Sequence, residues 1–207
     1  MTTRDSTDLL RRELILETAA PVFAELGYRE TWSGDLLAAA GIPRDTLHPY
    51  FADKEACFLA VLDRLIADGE AQIAAATRGR RGWARQTYAA LGALLEAMDA
   101  GSPTLRLLLI EVPTAGTAAL SRYDRVVATA VHWLYQARGR YKPAAKLPDS
   151  FEQMVVDGVA FILRHFLLES PRPSMPDLLL ETSRYLIEPF VGPDEFRRLD
   201  PEFTAPF

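Results

Sequence analysis

The sequence predicts an all-α fold: an N-terminal three-helix helix-turn-helix domain followed by a C-terminal helical bundle that forms a dimer. Three observations carry this. Apolar residues recur at three- and four-residue intervals through most of the chain, no stretch of useful length alternates apolar with polar residues as a half-buried strand would, and Gly/Pro clusters at 78–82, 101–103 and 171–176 close the periodic segments.

The first helix is expected over 8–26, where Leu9, Ile15, Ala19, Val22, Phe23 and Leu26 share a face and Gly27 ends it. Pro21 lies inside and removes the bond to Glu17, so a kink is expected there. From Gly27 to Val61 the chain reads as two short helices meeting at a glycine turn, then a longer helix. Leu36, Leu37 and Ala40 make the apolar side of the first short helix, capped by either Thr31 or Ser33, and Gly41 supplies the sharp turn with a positive φ. Ile42 and Leu47 plug the angle between the two short helices. Pro43 suits the first position of the second one, Asp45 complements its positive end, and Arg44 and Thr46 point outward. Pro49 cannot donate to the Asp45 carbonyl, which ends this helix at about His48. A long helix follows over 54–77 with Phe58, Val61, Leu62 and Leu65 inside, closed by the basic loop 78–82. Further helices are expected over 83–100, 104–112 (stopped by Pro113) and 118–138, then a loop over 139–148 rich in basic residues and Pro. The segments 151–168 and 177–190 are too apolar for surface helices of a monomer. Burial against a second copy solves this, with Val155, Val159, Ile162, Phe166, Leu179 and Leu186 as the expected interface.

Gly27-Tyr28, Thr31, Asp35-Leu36, Ala40-Gly41, Thr46-Leu47, Tyr50-Phe51 and Lys54-Glu55 occur in the order and spacing found in tetracycline-repressor-type (TetR family) transcription regulators, and the chain resembles them. The resemblance implies a DNA-binding domain over 1–53, a ligand-binding and dimerisation domain over 54–207, and a dimer in which the last two helices of each chain form a four-helix bundle. It implies a ligand-responsive regulator, usually a repressor, whose partners are a double-stranded DNA operator and a small-molecule effector of unknown identity. Thr46, Tyr50 and Lys54 match positions that contact phosphates, and Ser33, Asp45 and His48 complete the expected surface. Arg44 is the one cation in the recognition segment, and a guanidinium can grip guanine O6 and N7 together, so base contact is assigned to it. The chain departs from the family where Pro43, Asp45 and His48 replace the usual Ser, Gly and Tyr, and where Trp32 replaces a small hydroxyl.

Charge runs against a simple electrostatic DNA binder. The chain carries a net −5, and residues 1–65 hold seven basic groups against eleven acids. Specific binding survives this, because a few well-placed cations can position a reader. The N-terminus carries acids where a secretion signal carries basic and apolar runs, and no membrane-length apolar run exists, so a cytoplasmic protein with no membrane partner is expected. The single Cys57 excludes an internal disulfide and reads as a small apolar residue.

No phosphate-binding glycine loop, nucleophile elbow or paired metal-ligand spacing is present, so neither catalysis, metal nor cofactor is expected. His48, His132 and His165 fall in three separate segments. An effector pocket is expected within 83–165, lined by Tyr88, Met98, Trp133, Tyr135 and Phe161, with Glu111, His132 and Asp157 orienting a ligand. The alternative is a helical ligand-binding or scaffold protein that has lost DNA binding, which the acidity, Asp45 and Pro49 favour; a cofactor-free enzyme is disfavoured by the missing acid–base constellation.

Overall fold

The computed structural model describes residues 3–43, 47–168 and 174–203, with side chains over 9–43, 47–168 and 174–199. Among these every assigned element is helical: α1 (Thr3–Leu26), α2 (Ser33–Ala39), α3 (Lys54–Thr77), α4 (Trp83–Asp99), α5 (Thr104–Arg106), α6 (Thr117–Tyr135), α7 (Phe151–Leu168), α8 (Met175–Val191) and α9 (Pro193–Phe203). The helix expected over 104–112 changes type along its length. The α-turn of α5 passes into a π-turn over Leu107–Glu111 and a 3-10 turn over Val112–Thr114, the last containing Pro113 with its missing N–H. The end of the segment expected over 118–138 likewise tightens into a 3-10 turn over Gln136–Gly139. α9 is not among the helices expected above, although Gly192, Pro193 at the first position and Asp194-Glu195 in the first turn mark its start, and Phe196 and Leu199 bury one face.

The chain divides into two compact units, one made of residues 1–67 with 103–123 and the other of 68–102 with 124–207. The first encloses a core of Ile15, Leu16, Ala19 and Phe23 from α1, Leu36 and Leu37 from α2, Phe58, Val61 and Leu62 from α3, and Leu107, Leu108 and Val112 from the π and 3-10 turns. Phe23 meets Phe58 edge to face, with ring centroids 4.9 Å apart. The inner stripe of α1 is thus shifted from the expected one: Leu9 and Leu26 are exposed, while Leu16 and Ala20 are buried. The 3.6-residue period accommodates either stripe, and α2 and α3 select the one centred on Ile15, Ala19 and Phe23. α1 is continuous through Pro21, which is exposed. Cys57 is fully buried, and burial, only partly offset by Arg12, pushes its thiol up to about 12; it stays protonated and inaccessible.

In the second unit α8 packs against α4, α7 and α9. Fully buried Trp83 opens α4. Its ring lies 5.3 Å from that of Phe190 and 5.8 Å from that of Tyr141, and its indole N–H donates to the Trp133 carbonyl at 3.1 Å. Trp133 in turn donates to the Thr87 hydroxyl at 2.9 Å, and Thr87 donates back to the Trp83 carbonyl at 2.8 Å. The loop over 139–148 is held by Arg138, which grips buried Glu152 with two bonds (Nε–Oε1 2.7 Å, Nη2–Oε2 2.9 Å) and donates to the carbonyls of Leu147 and Pro148. Burial alone would raise the Glu152 carboxyl, but the Arg138 hydrogen bonds reverse that and hold it below its ordinary 4.5. A depressed carboxylate stabilises the fold above its unfolded value and ceases to do so as pH falls through the folded one. Melting temperature is therefore expected to fall steeply below about pH 4.5 and less steeply in Glu152→Gln; equal slopes in both proteins would show that the pair is not the acid-sensitive element.

Candidate nucleic-acid interface

The α1–α2 turn begins where Gly27, at φ +84, breaks the helix. Thr31 then closes it, its hydroxyl donating to the Gly27 carbonyl at 2.7 Å and its amide to the same oxygen at 3.1 Å. Neither Thr31 nor Ser33 caps α2. The capping position is Trp32, whose indole has no acceptor to offer; instead Asp35 reaches back to accept from the Trp32 amide at 2.7 Å. Trp32 is left 74% exposed. α2 ends as the glycine turn requires: Gly41 adopts φ +63, its amide bonds Ala38 O at 3.1 Å, and the Ile42 amide bonds Leu37 O at 2.9 Å, with Ile42 and Leu37 both buried.

The recognition helix expected from Pro43 to His48 depends on Arg44, Asp45 and Thr46, which lie outside the described residues. Beyond them, residues 47–50 form a turn closed by bonds from the Tyr50 and Phe51 amides to Leu47 O, both 2.9 Å. Leu47 and Phe51 are buried, as a plug between helices should be, and His48 is exposed. The Tyr50 hydroxyl accepts from Arg11 at 3.4 Å. Lys54, first residue of α3, donates to the carbonyls of Tyr28 (2.7 Å) and Arg29 (3.2 Å) and stands 4.6 Å from the Tyr28 ring centroid. One of its three protons remains for a further acceptor. Burial, with Glu55 and Asp53 nearby, raises the Tyr28 phenol above its ordinary value. Ser33 is exposed at the start of α2. The described part of this segment is thus held by hydrogen bonds at both turns and leaves Trp32, Ser33 and His48 exposed.

Residues 15–61, which span this segment, match the model of the bacterial regulatory proteins of the tetR family. These residues thus carry a tetR-type DNA-binding domain. No curated protein matches the chain. Among solved structures the chain is similar in fold to the fatty acid degradation regulator FadR from Bacillus halodurans (TM-score 0.73, 14% identity, covering 86% of this chain and 94% of that one). It is also similar to AibR in complex with isovaleryl coenzyme A and operator DNA (0.69, 16%, 84% and 96%) and to FadR from Bacillus subtilis in complex with stearoyl-CoA (0.70, 13%, 86% and 98%).

In the second unit, Tyr88 and Met98 are buried on α4, and burial raises the Tyr88 phenol although Arg80 opposes it. Trp133 is tied to Thr87, as described. His132, Tyr135, Asp157 and Phe161 are exposed, Tyr135 beneath the Arg138 guanidinium and Asp157 accepting from Gln153 at 2.9 Å. Glu111 belongs to the first unit, where it is buried and bonded to the backbone of the α1–α2 turn. Of the residues expected at a dimer interface, Val155, Phe166 and Leu179 are buried within the chain, whereas Val159, Ile162 and Leu186 are partly exposed. α7 also presents Met154, Phe161 and Leu168 outward in one stripe, and Tyr185 of α8 lies over Gly158, where an added Cβ would come within 2.9 Å of its ring. Sequence periodicity had no means of separating the inward from the outward side of a helix apolar nearly all round. Among the described residues no group of His, Cys, Asp or Glu is placed to hold a metal ion, and no helix is long and apolar enough to cross a membrane.

Proposed function

We propose that the chain is a cytoplasmic, ligand-responsive repressor that binds a double-stranded DNA operator as a homodimer, with residues 1–53 contacting DNA and 54–207 supplying the effector site and the dimer interface. The observation that carries this is the pair of hydrogen-bonded turns at Gly27 and Gly41 within the residues that match the tetR-family model. Arg44 reads a base, and Thr46, Tyr50 and the remaining proton of Lys54 bind phosphates, with Ser33, Asp45 and His48 beside them. Two copies join through α7 and α8, whose exposed Met154, Phe161, Leu168 and Tyr185 form the apolar surface a partner covers.

The effector is a coenzyme A thioester. Two proteins of similar fold bind such molecules, and the second unit offers the matching chemistry. An apolar interior built by α4, α7 and α8 suits an acyl chain, and exposed Arg78, Arg80, Arg81 and Lys142 suit phosphates. Among the described residues Thr182 holds the one buried side-chain polar atom without a hydrogen-bond partner, a group a thioester carbonyl would satisfy. Thr182→Val is expected to stabilise the free protein, by up to the roughly 1–3 kcal/mol that an unpaired buried group costs, and to weaken the effector. A Thr182→Val protein with lower stability and unaltered effector affinity would remove Thr182 from the site. To act, the effector must prefer the dimer geometry that misplaces the readers, because equal affinity for both states shifts nothing.

The test is to titrate isovaleryl-CoA, stearoyl-CoA and free coenzyme A onto the complex of the protein with a duplex it has enriched from a random library. Release by a thioester but not by free coenzyme A is expected. A protein that binds a thioester but no duplex would instead be the ligand-binding scaffold without DNA function. Arg44→Ala should flatten the sequence preference, a contact worth about 1–3 kcal/mol.

A further inference from the structure

An α-helix continuing past Leu26 would bond the Tyr28 amide to the Ala24 carbonyl. The turn at Gly27 prevents this and orphans both groups. The structure fills each half separately: Glu111 Oε2 accepts from the Tyr28 amide at 2.8 Å, and Arg106 Nε donates to the Ala24 carbonyl at 2.5 Å. A charged acceptor and a charged donor thus replace the two ends of one missing helix bond.

Both come from the segment whose helix changes type. In an α-helix, residues five apart point about 140° away from each other. The wider π-turn over Leu107–Glu111 reduces that angle, and Arg106 and Glu111 both meet the same end of α1. Gly27 is part of the fit, since a Cβ there would stand 3.3 Å from Glu111 Oε2, tighter than ordinary contact. The turn is gripped from its other side by Lys54 at the Tyr28 carbonyl. Burial of Leu107, Leu108 and Val112 anchors the segment in the same core as α2.

We propose that Arg106 and Glu111 are positioning residues for DNA binding: they lock the α1–α2 turn, and with it α2 and the recognition segment, in the geometry that fits an operator. This rests on the DNA-binding reading above. Neither residue touches DNA; each acts through the backbone of the turn. A shift in the register of the π-turn withdraws both contacts at once, so the lock is released as a unit.

The test uses the full chain, a duplex enriched from a random library by the unaltered protein, and a scrambled duplex of the same composition. Glu111→Ala and Arg106→Ala are each expected to weaken the enriched duplex at least about tenfold and the scrambled one by less than about twofold, because only specific binding requires the fixed reader. Glu111→Gln, whose amide oxygen still accepts from Tyr28, should stay within about threefold of the unaltered protein. Hydrogen exchange supplies the matching signature, with Tyr28 amide protection lost in Glu111→Ala and kept in Glu111→Gln. Should Glu111→Ala fail to fold, Arg106→Ala and Arg106→Lys decide, with loss expected in the first and partial recovery in the second. Folded alanine variants that bind the enriched duplex as the unaltered protein does would overturn the lock alone. Failure of the unaltered protein to enrich any duplex would overturn the DNA-binding reading, and the lock with it.

Discussion

Replacing Trp83 by alanine is expected to destabilise the protein by about 3–5 kcal/mol, the range for emptying a large aromatic site in a core. The ring is fully buried between Phe190 and Tyr141, and its N–H anchors the Trp133 carbonyl at the end of α6. Its loss opens a cavity between α4 and α8 and strands a polar group at the same time. Urea unfolding followed by circular dichroism measures the effect, and a shift below about 1 kcal/mol would show that the second unit does not depend on this residue. Trp83→Phe separates the two contributions, since it keeps most of the packing and removes only the hydrogen bond.

A second large effect is expected at the outer face of α7. Phe161 is 68% exposed in the single chain, and Met154 and Leu168 continue its stripe. Burying each such side chain against a partner contributes roughly 1.5–3 kcal/mol. Phe161→Glu combined with Met154→Glu is therefore expected to turn a dimer into a folded monomer by light scattering. Phe166→Glu makes the contrast. Phe166 is only 6% exposed, so a carboxylate there is forced into the chain's own core and should unfold or aggregate the protein rather than merely separate two copies. An intact dimer after the double substitution at 154 and 161 would place the interface elsewhere.

How far the sequence announces this molecule depends on whether its signals are local. The bounds of α3 and α7 coincide with those expected, because each is long, periodic and flanked by turn residues. The Gly41 turn follows from a glycine set between the apolar side of the first short helix and the plug Ile42, and takes the positive φ expected of it. What escapes a local reading is decided by partners distant in the chain. The α1 stripe rotates toward Ile15 because α2 and α3 lie there. The cap of α2 falls on Trp32 because Asp35 supplies the carboxylate and the Thr31 hydroxyl is spent on Gly27. Glu111 reads as a polar group for a pocket, yet its carboxylate serves a backbone amide 83 residues earlier. Nothing near position 111 signals that role; the orphaned amide after Gly27 signals only that some acceptor is required. α9 is different, since its start is plainly written in Gly192-Pro193-Asp194-Glu195 and was hidden only by its low overall apolarity.

Binding-site selection tests the central claim most directly. Random-sequence duplexes are passed repeatedly over the full-length protein at moderate salt, and the retained sequences are read. A dimer that places two recognition segments on successive major grooves should enrich a two-fold-related pair of half-sites, their centres about 10–10.5 base pairs apart or a multiple of that. Arg44→Ala should blur one position in each half-site. Retained sequences indistinguishable from the starting pool, obtained with folded dimeric protein, would contradict the account.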